Sequence, residues 1–339
     1  MKIDIAKSVS EVRDSVSRRV HHVKESVSGT VHEVKEKMIP ERIYSGMDRI
    51  PSGRASDKLI PGCLVLEGGA FRGLYTQGVL DYWMLNGLNI SDVIGVSAGA
   101  LSAVSYVSGQ IGRSARVNIG FRYDTNYIGV GALRRAHSLI NLDFLIHDYD
   151  LIEPLDMERF NDPRRRLVAV ATDCRTGEPV YLERGKCSDM FTALKATASM
   201  PFISPMVEMD GRRFLDGGCS CNVPYQWALD QGYRKIVVIK THDAYYRNED
   251  PREKNTARRV YRRHQELALA LDRSDIRYKK EYDDLERLSA EGRIYVVQPS
   301  QVVTVGRVER NVEKLGELYW MGYNDAAACL EDLKSYLFS

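Results

Sequence analysis

Apolar residues along this chain follow two kinds of pattern. Short apolar runs rich in β-branched residues are typical of buried strands, and between them apolar residues recur at helical spacing. The runs that predict strands lie at residues 63–66, 93–96, 167–172, 235–240 and 294–297. Because strands that alternate with helices form parallel sheets, this pattern predicts an α/β fold, with a mostly parallel central sheet between two helical layers.

Turn and breaker residues predict further elements. These are a strand at 178–182 paired with the strand at 167–172, a hairpin over 207–215, and helices that run through Leu85, from Leu194 to Met200 and from Asn324 onwards. The hairpin is centred on an Asp-Gly turn, and Pro201 is expected to end the second helix. Residues 104–166, which are rich in tyrosine and arginine, are expected to cover the functional site.

The first 39 residues contain a repeat of a different period. Apolar residues, mostly valine, recur every three or four positions across three 11-residue segments, Lys7–Ser17, Arg18–Ser28 and Gly29–Ile39. This period keeps the apolar residues on one face of a nearly straight helix. Such a face can lie on a membrane surface or pack against a partner helix. A disordered leader is the third interpretation, because valine is a poor helix former.

Prolines and glycines after this repeat indicate the domain organisation. Pro40 and the Pro51–Gly53 turn mark a linker. The predicted segments are an amphipathic helix at 1–45, a linker at 46–60, a catalytic core at 61–245 and a mainly helical extension, packed on the core, at 246–339.

Charge and cysteine content argue against several function classes. The formal net charge of the 339 residues is +2, which gives no overall field to attract nucleic acid. The six cysteines form no Cys-x-x-Cys pair, so reduced thiols and no metal site are expected. No apolar run is long enough to span a bilayer. We therefore expect a cytoplasmic protein with peripheral membrane contact through residues 1–39. The oligomeric state stays open.

The most informative segment follows the apolar run at 93–96. Residues Gly95 to Gly99, Gly-Val-Ser-Ala-Gly, match the pattern Gly-x-Ser-x-Gly between a predicted strand and a predicted helix. In that setting a serine lies on a sharp, strained turn with its hydroxyl exposed, and Gly95 and Gly99 allow close backbone crossing. Ser97 is therefore a candidate nucleophile.

A glycine-rich loop, Glu67–Gly73, follows the first predicted strand. Such a loop can hold a phosphate, as in nucleotide-binding folds, or offer backbone N–H groups to an acyl oxyanion. A nucleotide site would favour glycine where Ala70 stands, and the sequence has no Gly-Lys-Ser/Thr. The oxyanion function is therefore favoured.

A serine nucleophile needs a proton acceptor within hydrogen-bond distance. Asp216, which Gly217 and Gly218 follow at the end of the predicted hairpin, can accept the proton directly as the base of a dyad. Alternatively, Asp216 orients His242, after the strand at 235–240, in a Ser-Asp-His triad. Asp-Gly-Gly also occurs in plain turns. The residues alone leave all three possibilities open.

Taken together, these motifs resemble those of the patatin-like phospholipases. The resemblance covers residues 60–242 and is carried, in chain order, by Gly68–Gly73, Gly95–Gly99, Lys195–Pro201 and Asp216–Gly218. The remaining tail is similar to bacterial members with a helical C-terminal extension.

The resemblance implies a Ser97–Asp216 dyad without histidine, and hydrolysis of lipid acyl esters without a metal or cofactor. It also implies an oxyanion hole formed by Gly68, Gly69 and Ala70. The positions with supporting roles are Arg72, Gly73, Gly95, Gly99, Gly217 and Gly218. Ala70 departs from the family's glycine, and because its Cβ restricts φ we expect strain of about 1–2 kcal/mol there.

The expected function is therefore that of a serine acyl hydrolase, similar to phospholipase A or lysophospholipase, with a lipid or acyl-ester substrate. Three alternatives stay open: a Ser-Asp-His esterase that uses His242, a nucleotide-dependent oxidoreductase, and a non-catalytic membrane adaptor.

Overall fold

The computed structural model describes residues 43–128, 132, 141, 143–144, 149–244, 246 and 256–339. The repeat at 1–39, together with its expected membrane contact, lies outside the described residues. So does part of the predicted cover at 104–166, and its role over the site stays a prediction. The predicted domain boundaries likewise stay predictions.

The strands are β1 (Gly53–Arg54), β2 (Ile60–Leu66), β3 (Ile90–Val96), β4 (Gln110–Ile111), β5 (Leu167–Asp173), β6 (Pro179–Glu183), β7 (Val207–Met209), β8 (Arg212–Asp216), β9 (Ile236–Ile239) and β10 (Tyr295–Val297). The α-helices are α1 (Gly73–Leu85), α2 (Ala98–Val107), α3 (Arg113–Gly120), α4 (Met157–Phe160), α5 (Met190–Thr197), α6 (Tyr225–Asp230), α7 (Thr256–Val260), α8 (Gln265–Asp272), α9 (Ser274–Ala290), α10 (Val312–Ala328) and α11 (Leu330–Phe338).

Within the described residues, eight strands form one sheet in the order β10-β9-β2-β3-β5-β8-β7, with β6 paired to β5. The pairs from β10 to β5 are parallel, whereas β6 and β8 run antiparallel to β5. Strands β1 and β4 form a separate two-stranded ribbon. The predicted pairing of 178–182 with 167–172 and the predicted hairpin at 207–215 are both confirmed.

Alternate residues of the parallel strands face opposite layers, as the two-residue period of a strand requires. Leu64 and Leu66 of β2 belong to a core cluster with α1, α2 and α10. Cys63 and Val65 belong to a second cluster with α6 and α9. Because both faces are covered, the strands are apolar throughout and not alternating. The predicted fold class, a mostly parallel sheet between helical layers, is confirmed.

The register of β5 determines where the functional residues lie. Strand β6 pairs with Val168–Thr172 and occupies one edge of β5 there. Because β3 and β8 also pair with residues of that stretch, they must lie along the other edge of β5. There β3 ends with Val96 opposite Val170, and the antiparallel β8 ends with Asp216 opposite Ala171. The carboxyl ends of β3 and β8 therefore meet head to head.

The predicted boundaries of two helices are wrong. The closing helix begins at Val312, not Asn324, because the Asn311 side chain accepts the Glu313 and Lys314 N–H groups and caps it; Cys329 then separates α10 from α11. Helix α5 begins earlier than expected, at an Asp189 cap, and ends at Thr197, before Pro201. Among the described residues, the helices are all too short or too polar to cross a bilayer.

Helices α1 and α10 cross at two glycines. A Cβ at Gly78 would lie 2.0 Å from the Tyr319 carbonyl oxygen, and a Cβ at Gly322 would lie 2.1 Å from the Tyr75 carbonyl oxygen. Both obstacles are backbone atoms, which cannot move aside by rotating a side chain. This contact attaches the C-terminal segment to the core.

We expect Gly322→Ala to lower the free energy of unfolding by about 2–3 kcal/mol, because the added methyl overpacks the crossing. The loss should appear although alanine is intrinsically the better helix former by about 1 kcal/mol. Urea denaturation measures it. Gly306→Ala is the matched control, since a Cβ at Gly306 meets nothing within 4 Å. Equal stabilities of the two variants would contradict the crossing described above.

Candidate active site

Ser97 lies at the turn between β3 and α2 with a φ of 52°, a left-handed conformation that is strained for a residue with a Cβ. Its N–H donates to Thr197 Oγ1 at 2.9 Å, and the Thr197 hydroxyl donates to the Val170 carbonyl. Thr197 thereby ties the turn to β5. The side chain of Ser97 is half-buried.

The glycines on either side of Ser97 allow the turn to form. A Cβ at Gly99 would lie 2.5 Å from the Leu66 carbonyl oxygen at the end of β2. A Cβ at Gly95 would lie 2.5 Å from the Ala100 nitrogen on the far side of the turn. Both contacts are shorter than real Cβ atoms make, so the strand and the helix can cross here only without side chains.

Asp216 is buried at the end of β8, and the Ser97 hydroxyl lies near enough to its carboxylate to lower the pKa of that group. Its Oδ1 also accepts the Gly218 N–H at 2.8 Å. Burial raises the pKa of Asp216 to about 6, and the nearby Ser97 hydroxyl, the Gly218 N–H and the charge of Arg307 oppose this effect in part. A Cβ at Gly217 would lie 2.2 Å from the Val170 carbonyl oxygen.

The glycine-rich loop lies directly beside Ser97. A Cβ at Gly68 would lie 3.4 Å from the Ser97 Cβ. The Gly68 carbonyl accepts a hydrogen bond of 2.8 Å from Thr241 Oγ1. Ala70 has a φ of 52°, which is the left-handed conformation that its Cβ disfavours. Ala70 in the loop and Ser97 beside it are therefore both strained residues.

Two further positions of this loop have distinct surroundings. The Arg72 side chain is half-buried, its charge acts on His242, and its buried Nε has no hydrogen-bond partner among the described residues. A Cβ at Gly73 would lie 2.9 Å from the Ala98 Cβ, so α1 begins in close contact with the start of α2.

His242 is buried, and its hydrogen bonds within the described part of the chain go to groups other than the Ser97 and Asp216 side chains. Its Nδ1 lies 3.0 Å from the Tyr278 hydroxyl and 3.4 Å from Glu67 Oε1. Burial lowers the pKa of His242, and Glu67 offsets this effect in part.

Sequence reasoning did not assign roles to several residues around this site: Glu67, Thr197, Thr241, Arg277, Tyr278 and Tyr282. Thr197 and Glu67 lie inside the motif segments, and Thr241 directly precedes the candidate residue His242. Arg277, Tyr278 and Tyr282 contact the site from positions far away along the chain, and nothing in their local sequence marks them.

Two segments of the chain match known protein families. Residues 64–229 match the family model of the patatin-like phospholipases, and residues 264–338 match a domain of unknown function, DUF6363. The crystal structure of VipD from Legionella pneumophila superposes with a TM-score of 0.46 and 15% identity, over 80% of this chain and 67% of that chain.

Two relatives each match about half of this chain. The uncharacterized protein YjjU of Escherichia coli (strain K12) is 34% identical over 187 residues, which is 52% of this chain and 51% of that protein. The probable lipid hydrolase 463L of invertebrate iridescent virus 6 is 24% identical over 207 residues, or 54% of this chain and 71% of that protein.

An uncharacterized NTE family protein of Mycobacterium tuberculosis, Rv1063c, is 26% identical over 161 residues, or 46% of this chain and 42% of that protein. The chain thus spans about half the length of YjjU and less of Rv1063c. Residues 64–229 are therefore a domain of the patatin-like phospholipase family.

Proposed function

We propose that the protein is a serine hydrolase of lipid acyl esters, with Ser97 as nucleophile and Asp216 as base. The observation that carries the proposal is the meeting of the carboxyl ends of β3 and β8, which brings Ser97 and Asp216 together beside the glycine-rich loop. The family, and a relative described as a probable lipid hydrolase, support a lipid substrate.

In the proposed reaction, Ser97 Oγ attacks the ester carbonyl carbon while its proton moves to Asp216. The carboxyl group then gives that proton to the departing alcohol, which leaves an acyl-enzyme. Water attacks the acyl carbon, passes a proton to Asp216, and the acid departs as the proton returns to Ser97. A carboxylate is a better base when its pKa is raised, which suits the buried Asp216.

The oxyanion of the tetrahedral intermediate needs backbone donors close to Ser97. We assign this role to the N–H groups of Gly69 and Ala70, with Gly68 as the residue that places the loop against Ser97. The left-handed φ of Ala70 supports the assignment, because strained backbone is often found where N–H groups must converge on a ligand. Removal of one such donor typically costs about 2.7–4 kcal/mol in the barrier.

A cavity of about 300 Å³ with a mainly apolar surface supports an acyl substrate. Its lining includes Leu101 and Val104 of α2 and the side chains of Leu155, Phe191 and Leu194, and also the charged residues Arg113, Asp150 and Lys195. Leu101 N–H bonds to the Ser97 carbonyl, so the cavity wall begins one helical turn from the nucleophile. We propose that an acyl chain attached to Ser97 extends towards this cavity.

Ser97→Ala and Asp216→Asn are each expected to reduce hydrolysis of a p-nitrophenyl acyl ester by at least about 10³-fold, because each removes a group that handles the transferred proton. Release of p-nitrophenol measures the rate, and thermal unfolding checks that both variants fold.

The variant His242→Asn separates the dyad from the triad. Because the ring of His242 bonds Glu67 and Tyr278, we favour the dyad and expect activity to fall by less than about tenfold. A loss as large as that in Asp216→Asn would establish the triad. Full activity in Ser97→Ala would overturn the proposed function altogether.

The pH dependence follows from the raised pKa of Asp216. Only the ionised carboxylate accepts the serine proton, so kcat/KM should be constant above pH 7 and fall about tenfold per pH unit well below an apparent pKa of about 6. A pH series with the same ester measures this limb. An apparent pKa near the ordinary aspartate value would show that another group limits the reaction.

Residues 1–39 are proposed to bring the enzyme to its substrate at a membrane surface. The full chain should float with vesicles of phosphatidylcholine mixed with an anionic lipid, and Val20→Asp/Val31→Asp should abolish flotation by placing charge on the apolar face. Ser17→Asp/Ser28→Asp is the matched control. It adds the same charge at the same 11-residue spacing, but at positions that are not on the apolar face. Equal flotation of the two double variants would eliminate this role.

A further inference from the structure

Glu67 lies between β2 and the glycine-rich loop, and its side chain is fully buried. Its carboxylate accepts hydrogen bonds from the Thr241 backbone N–H, the Tyr278 hydroxyl and the Tyr282 hydroxyl, the last at 2.7 Å. Burial raises the pKa of Glu67, but hydrogen bonds from His242, Tyr278 and Thr241 outweigh burial and hold it below its ordinary value. Glu67 is therefore an ionised carboxylate that surrounding donors fix in one position.

Thr241 connects this carboxylate to the glycine-rich loop. Its backbone N–H donates to Glu67, and its hydroxyl donates to the Gly68 carbonyl at 2.8 Å. In a trans peptide the carbonyl and the following N–H point in opposite directions. The bond from Thr241 to Gly68 therefore fixes the direction of the Gly69 N–H, one of the two donors assigned to the oxyanion.

The same helix that supplies the two tyrosines also reaches the loop behind Asp216. Arg277 donates to the Cys219 carbonyl at 2.9 Å and to the Gly218 carbonyl at 3.3 Å. Gly218 in turn donates its N–H to Asp216 Oδ1 at 2.8 Å. Arg277 thereby braces the turn that holds the catalytic carboxylate.

Arg277, Tyr278 and Tyr282 lie within two turns of α9, in the segment that matches a domain of unknown function. We propose that α9 is a positioning element of the active site, which sets the Gly69 N–H through Glu67 and Thr241 and holds Asp216 through Arg277. This proposal rests on the Ser97–Asp216 mechanism. It gives the C-terminal segment a role in catalysis beyond covering one face of the sheet.

The first test replaces Thr241. Valine has the same shape but cannot donate to Gly68, whereas serine keeps the hydroxyl. With a p-nitrophenyl ester, Thr241→Val should lower kcat by about 10–100-fold with KM within about threefold, since the hole acts on the transition state. Thr241→Ser should recover kcat to within about threefold of the unmodified protein.

Tyr282→Phe tests the step from α9, and Tyr225→Phe is its matched control. Each variant removes one tyrosine hydroxyl that bonds a carboxylate and joins α9 to the core. The Tyr282 hydroxyl bonds Glu67 at 2.7 Å, and the Tyr225 hydroxyl bonds Asp284 of α9 at 2.8 Å. Tyr282→Phe should lower kcat by about 3–10-fold, and Tyr225→Phe should leave it unchanged at a temperature where both variants are folded. Equal kcat values in the two would mean that α9 has a structural role alone.

Arg277→Met tests whether Arg277 supports the turn that holds Asp216. The acid limb of the pH profile is the measurement. Loosening the Gly218 N–H bond removes a contact that favours the ionised carboxylate, so the apparent pKa should rise by about 0.5 unit or more. An unmoved limb would remove Arg277 from the proposal.

The two proposals fail in different ways. If Ser97→Ala is inactive while Thr241→Val keeps full kcat, the positioning proposal is wrong and the proposed function stands. If Ser97→Ala keeps full activity, the proposed function itself is wrong.

Discussion

The site depends on two strands that end against each other along one edge of β5. Strand β3 runs parallel to β5 and β8 runs antiparallel, so their carboxyl ends approach from opposite directions and stop at adjacent residues, Val170 and Ala171. The residue after β3 and the last residue of β8 are Ser97 and Asp216. Backbone hydrogen bonds of the sheet, more than any flexible loop, thus set the distance between the two groups, and a slip of register in either strand would separate them.

Several groups at this site are held in unfavourable states by the structure around them. Ser97 and Ala70 both have a φ of 52°, and Asp216 is a carboxyl group taken out of water. Each costs free energy, of order 1–3 kcal/mol for a strained residue. Contacts from other elements oppose these costs: Thr197 binds the Ser97 N–H, Thr241 binds the loop before Ala70, and Gly218 binds Asp216. The strain is therefore local, and the atoms that balance it come from distant parts of the chain.

This contrast between local turns and distant supporting residues explains what the sequence could predict. The strands, the fold class and the segments around Ser97, Asp216 and Gly68 were accessible, because a buried strand followed by a glycine-rich turn is a local pattern. Thr241 and Tyr282 were not accessible. Thr241 bonds a residue 173 positions away and Tyr282 one 215 positions away, and each sits in a segment of ordinary composition. The start of α10 was missed because a single Asn311 cap, in a stretch without marked periodicity, determines it.

The C-terminal segment supports the core on both faces of the sheet. Helix α10 crosses α1 on one face of the sheet, at Gly322 and Gly78, while α9 packs on the other face and reaches Glu67. Helix α1 begins at the end of the glycine-rich loop, and Glu67 begins that loop. Both ends of the loop are therefore supported by helices outside the region matched to the phospholipase family. A core without this segment would lose the α9 contacts to Glu67 that support the start of the loop.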